Sequence, residues 1–140
     1  LVKLEVLGRT HQGRELIALK LTQGARGERD GSRPAVLYSS LQHAREWISV
    51  EVNRRTLHYF INRWRANDNE IKDLLKNTEL WFVLVANPDG YQYTFDTDRL
   101  WRKNLRGQRR QRADHRWRRR RSQPQLQRAL GLRQRGVVAG

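Results

Sequence analysis

The sequence predicts an α/β fold, a partial mixed β-sheet with crossover helices, followed by a disordered Arg-rich tail. Three observations carry this. Residues 35–38 and 79–86 are nearly continuous apolar runs, the pattern of strands covered on both faces. Between them, apolar residues recur at helical spacing from Trp47 to Trp64. After about residue 106 the composition changes to Arg and Gln.

Residues 2–7 alternate Val2, Leu4 and Val6 against Lys3 and Glu5, which suits a half-buried strand. Gly8 to Arg14 is turn-like. Residues 15–22 place Ile17, Leu19 and Leu21 on one face and Ala18, Lys20 and Thr22 on the other. The two strands are expected to pair as an antiparallel hairpin. Residues 23–33, rich in Gly, Arg and Asp, read as a loop. Pro34 introduces the first apolar run, expected to be a central strand. Residues 39–44 leave its C-terminal end.

From Glu46 a helix is expected, with Trp47, Val50, Leu57, Ile61 and Trp64 on its apolar face and Arg54 as an exception there. It should end near Ala66-Asn67-Asp68, with a shorter helix over about 69–76. Residues 79–86 carry the strongest strand signal. Asn87-Pro88-Asp89-Gly90 should stop that strand as a turn. Strand, helix, strand is a crossover unit.

The 140 residues suit one domain with a modest core. There is no Met and the first residue is Leu, so the chain is expected to be a fragment at its front end. With no Cys, any metal must be held by His and carboxylate. No apolar run is long enough to span a bilayer. The formal net charge is +15, but residues 107–140 alone contribute +10 and residues 1–106 only +5. The first part is therefore an ordinary globular surface, and the basic excess belongs to the tail.

His43-Ala44-Arg45-Glu46 follows the first apolar strand at its C-terminal end, where open α/β sheets bind ligands. The three-residue spacing lets an imidazole nitrogen and a carboxylate meet on one ion, and such a pair without thiolates suits Zn²⁺. On these four residues alone, Glu46 capping the helix and His43 as a surface loop residue explain the pattern as well. Arg99-Leu100-Trp101-Arg102-Lys103 is a second cluster. Its arginines are fixed cations able to polarise a carbonyl or hold a carboxylate, or simply a solvated basic turn. His11 should lie in water, and His58 should be half-buried in the long helix.

Four separated motifs stand in order: Gly8-Arg9-Thr10 with Gly13-Arg14-Glu15, then His43-Ala44-Arg45-Glu46-Trp47-Ile48, then Asn87-Pro88-Asp89-Gly90-Tyr91, then Arg99-Leu100-Trp101-Arg102-Lys103. Together they resemble the zinc carboxypeptidases of the carboxypeptidase A type, bacterial members included, across residues 1–106. The resemblance implies that His43 and Glu46 are the first two zinc ligands. It implies that Arg102 polarises the scissile carbonyl and stabilises the oxyanion, and that Arg45 and Arg99 line outer substrate subsites. It implies a metalloprotease that releases C-terminal residues from peptides or proteins, and a secreted location. The third ligand, the pair binding the substrate carboxylate, the general base and a Tyr near the substrate are not placed in this chain. The chain as given is therefore expected to be inactive.

The Arg-rich residues 107–140 invite one more expectation. Read one base later, with free third positions chosen, the codons beneath Ser122-Gln123-Pro124-Gln125-Leu126 give P-N-R-N-F, which contains the Asn-Arg pair of the family. A shifted frame near Gly107 would explain both the composition and the end of the resemblance. Two alternatives stand beside the enzyme: a carboxypeptidase-like protein without catalysis, and a basic module whose tail binds nucleic acid.

Overall fold

The computed structural model describes residues 1–106; the expected tail at 107–140 lies outside the described residues. Seven elements follow one another: β1 (Val2–Arg9), β2 (Glu15–Leu21), β3 (Ala35–Ser39), α1 (Trp47–Arg65), α2 (Asn69–Asn77), β4 (Glu79–Val83) and α3 (Pro88–Asp96). The strands form one mixed sheet in the order β1-β2-β4-β3. β1 and β2 are the expected antiparallel hairpin, with a register shift between Val6 and Gly8. β4 pairs antiparallel with β2 and parallel with β3, so α1 and α2 form the crossover between two parallel strands.

The core lies where these helices meet the sheet. Leu21 and Leu80 face each other across β2 and β4, as do Leu19 and Phe82. Leu21, Leu80 and Phe82 are buried with Leu57 of α1 and Leu75 of α2. Each such side chain contributes about 1.5–3 kcal/mol through burial. Tyr38 stacks on Phe82 with ring centroids 4.7 Å apart, which ties β3 to the same cluster.

Several expectations are corrected. β3 is not covered on both faces: it is the sheet edge among the described residues, and Leu37 is 65% exposed. A short apolar run reports burial but not which neighbours supply it. On β1 and β2, Leu4, Val6 and Ile17 are exposed, because the helices cover the other end of that face. The opposite face is the more deeply covered one. Ala18 and Lys20 are buried there, and the segment after β2 folds back with Asp30 reaching Lys20. β4 ends at Val83 rather than residue 86, since Ser40 takes over its partners: Ser40 N donates to Val83 O and Ser40 Oγ to Leu84 O.

Asn87-Pro88-Asp89-Gly90 begins a helix instead of a turn. Asn87 Oδ1 accepts from Gly90 N at 3.0 Å and Pro88 occupies the first turn, where its missing N–H costs nothing. His58 is exposed. Arg54 escapes the apolar side by turning to Glu51, with two contacts of 2.8 Å.

A buried ion pair lies beneath the 23–33 loop. Lys20 Nζ sits 3.0 Å from Glu79 Oε1 and 2.8 Å from Asp30 Oδ1, and the side chains of Lys20 and Glu79 are both 0% exposed. Glu79 also accepts from Trp81 Nε1 at 3.0 Å and from Gly31 N at 3.1–3.2 Å. Gly31 has φ 76°, a conformation open to glycine, and so presents its N–H to the carboxylate.

Candidate metal centre

The loop between β3 and α1 carries the first candidates. Ser40 and Leu41 are buried, and Leu41 holds φ 56°, uncommon for a residue with a branched side chain. Leu41 N donates to Ser49 Oγ at 3.2 Å, which fastens the loop to the first turn of α1.

Glu46 occupies the N-cap position of α1 but makes no side-chain cap hydrogen bond. The N-cap side chains of the other two helices do cap: Asp68 accepts from Ile71 N at 3.0 Å, and Asn87 caps α3. Instead, both Glu46 carboxylate oxygens lie beside His43 Nδ1, at 3.0 and 3.1 Å. The capping explanation of Glu46 thus fails. His43 and Glu46 are 42% and 47% exposed, open to solvent on one side.

Arg102 completes the cluster. One of its terminal guanidinium nitrogens is 3.1 Å from His43 Nδ1, and its Nε is 3.8 Å from Glu46 Oε1. The second and fourth motifs thus meet at His43. Arg45 and Arg99 lie next to it and engage backbone: Arg99 donates to Arg45 O at 3.3 Å, and Arg45 to Leu100 O at 3.5 Å. The Arg99 guanidinium also lies 3.7 Å from the centroid of the Trp47 ring. Trp47 is fixed in turn by a bond to Thr94 Oγ1 at 3.0 Å and by stacking on Phe95 at 4.4 Å.

The remaining motifs lock these loops together. Ala44 N donates to Arg102 O at 2.9 Å. Asp89 accepts from Thr10 Oγ1 at 2.8 Å and from Arg14 at 2.9 Å, joining the hairpin turn to the start of α3. The sequence reading gave Gly8-Arg9-Thr10 and Asn87-Pro88-Asp89-Gly90 as turns and as motifs of the resemblance, without this contact between them. The unpaired acid in a Pro-Asp-Gly start and a Thr-Arg turn were the available signals.

The donor chemistry fits a cation between His43 and Glu46. Nδ1 cannot both accept from Arg102 and donate to Glu46, so one of these contacts sets like charges face to face. A positive ion taking the imidazole lone pair and the carboxylate would relieve the His43–Glu46 contact, with Arg102 then left to the carboxylate side. The 3.0–3.1 Å separation also suits adjacent ligand atoms about 2.0–2.2 Å from a common zinc. Among the described residues no group of three or more His, Cys, Asp or Glu side chains converges, so this chain's described part supplies two donors.

The zinc carboxypeptidase family model matches residues 1–134. This chain belongs to the zinc carboxypeptidase family. Its relatives include the "Inactive metallocarboxypeptidase ECM14" of Saccharomyces cerevisiae, 42% identical over 104 residues, covering 74% of this chain and 24% of the yeast protein. Carboxypeptidase B of Astacus astacus is 36% identical over 103 residues, 74% of this chain and 31% of its own length. Metallocarboxypeptidase A of Arthroderma otae is 37% identical over 97 residues, 69% of this chain and 22% of its own. Among solved structures, carboxypeptidase A from Helicoverpa armigera aligns with TM-score 0.57 and 33% identity, over 74% of this chain and 24% of that one. Bovine thrombin-activatable fibrinolysis inhibitor, solved with a tick carboxypeptidase inhibitor, aligns with TM-score 0.59 and 29% identity, over 74% and 30%. The chain thus spans under a third of the length of these relatives. No helix among its described residues is long and apolar enough to cross a membrane.

Proposed function

We propose that this chain carries part of a metallocarboxypeptidase active site, in which His43 and Glu46 hold Zn²⁺ and Arg102 serves the scissile carbonyl. The observation that carries this is the Glu46 carboxylate, turned from its own helix onto His43 Nδ1 with Arg102 alongside. When bound, zinc supplies a Lewis acid and lowers the pKa of a water attached to it. Arg102 is the cation available where negative charge develops on the carbonyl oxygen. Arg45 and Arg99 bind the substrate on the outer side, Arg99 held there by Arg45 O and the Trp47 ring and Arg45 by Leu100 O. The substrates are peptide or protein C-termini, and the site of action is outside the cell.

The two donors among the described residues fall short of the three protein ligands of an open zinc site, so residues 1–106 by themselves would not form a working one. A reading without catalysis at any length is favoured by one observation, the 42% identity to a yeast protein named as inactive. We assign residues 1–106 to the front of the catalytic domain and retain a shifted frame from about Gly107. The family match through residue 134 weighs against that frame, and the nucleotide sequence across Arg106 decides it. The nucleic-acid alternative rests on residues 107–140, outside the described residues.

The test is a zinc titration of the 140-residue chain followed by NMR. The His43 ring and Glu46 carboxyl signals should move together, and His43→Ala should weaken binding at least about tenfold. Zinc that leaves both signals unmoved removes the proposal.

A further inference from the structure

We infer that Asn87 is the positioning residue that sets the spacing between the loop carrying His43 and Glu46 and the loop carrying Arg102; this rests on the metal-centre reading above. The site needs such a device. His43, Glu46 and Arg102 are each about half exposed, so packing does not fix their separation. The ligand loop also contains Leu41 at φ 56°, a conformation that persists only where surrounding contacts enforce it.

Asn87 is 8% exposed and uses its whole side chain. Its Nδ2 donates to Gln42 O at 3.3 Å and to Lys103 O at 3.2 Å. Gln42 immediately precedes His43, and Lys103 immediately follows Arg102. Its Oδ1 accepts from Gly90 N at 3.0 Å, so the amide can face only one way: oxygen to the helix, nitrogen to the two loops. The bond from Ala44 N to Arg102 O is a second cross-link between the same loops. Gly90 leaves the room this requires, since a Cβ there would lie 2.7 Å from Lys103 O and 2.6 Å from Asn87 Nδ2.

Capping and clamping can be separated. Asn87→Asp keeps an oxygen for Gly90 N and remains a good N-cap. It replaces the shared nitrogen by an oxygen facing two carbonyls, which turns two attractions into repulsions. In the full chain, exchange of the Ala44 amide should rise about tenfold or more, the loss expected for one or two hydrogen bonds, with Gly90 protection kept within about twofold. The ¹⁵N signal of His43 Nδ1 should move toward its position in Arg102→Ala. Gly90→Ala, which pushes on the same contact from the helix side, should give the same Ala44 and His43 response.

Unchanged Ala44 exchange and an unmoved His43 signal in folded Asn87→Asp overturn the inference. Equal loss of protection at Gly90 and Ala44 also overturns it, since Asn87 would then be a helix cap only. Should Asn87→Asp not fold, Gly90→Ala decides by the same two signals. None of these readouts needs metal, so a silent zinc titration beside the expected Ala44 response would remove the metal centre and leave the clamp.

Discussion

Replacing Lys20 by Met tests the buried ion pair. The substitution keeps most of the side chain's length and removes only the ammonium. Glu79 would stay wholly buried, with Trp81 Nε1 and Gly31 N as its remaining donors. Breaking a buried pair by deleting one partner costs about 3–5 kcal/mol. The two retained donors, worth about 1.5–3 kcal/mol each to a charged acceptor, place the loss near the lower end, at roughly 3 kcal/mol. For a unit of this size that lowers Tm by roughly 12–20 °C. Glu79→Gln should cost about 2–3 kcal/mol, because Lys20 keeps Asp30 at 2.8 Å. The double variant leaves no uncompensated charge at either position, so it should lose at least about 1.5 kcal/mol less than the two single losses combined. Urea unfolding of the four proteins reads all three quantities. Single losses under about 1 kcal/mol, or a double loss equal to the sum, would show that the pair is solvated and refute the reasoning.

The same pair sets a pH window. Burial works against the Lys20 charge, yet the bonds to Asp30 and Glu79 outweigh it and hold its pKa above the usual 10.5. Its contribution is present below 10.5 and is lost as pH rises through the higher folded value. Burial likewise opposes the Glu79 charge, and Lys20, Trp81 and Gly31 together hold its pKa below 4.5. That contribution is present above 4.5 and disappears as pH falls through the lower folded value, so acid and alkaline unfolding midpoints should both retreat toward neutrality in Lys20→Met. Glu51 should titrate at about 2, chiefly through its bonds to Arg54 and then Arg55, so its stabilisation is complete above 4.5 and lost toward pH 2; a carboxyl ¹³C titration near 4.5 would contradict this. At Leu41, which is buried with φ 56°, Leu41→Gly should destabilise less than Leu41→Ala by about 1 kcal/mol, since only Ala retains the backbone penalty; the reverse order in urea unfolding would rule out strain. Asp68→Ala removes the bond to Ile71 N and should cost about 0.5–2 kcal/mol, read as a Tm shift, with no change in the zinc response of His43.

Much of this architecture is legible in the sequence, for a local reason. Period-two alternation marks β1 and β2, and period 3.6 marks α1, because each pattern is written within one element. What covers a face is not written locally. Val36 and Leu37 read as interior, yet they stand on the sheet edge among the described residues. Lys20 reads only as a residue of the face opposite Leu19 and Leu21; a later loop and Glu79, nearly sixty positions away, enclose it. The start of α3 was hidden by giving Pro88 and Gly90 their turn-forming meaning, although Asn before Pro also suits a helix entrance. At the site, spacing permits His43 and Glu46 to meet but does not distinguish ligation from capping. Arg102 reaches them only through the resemblance, and no sequence signal announced that Arg99 would lie on Trp47.

The oxygens that Asn87 grips belong to the main chain, and every amino acid offers the same one. The side chains at positions 42 and 103 can therefore change without removing either bond. Side-chain change beside the candidate site is in this way separable from the bonds that hold its two loops.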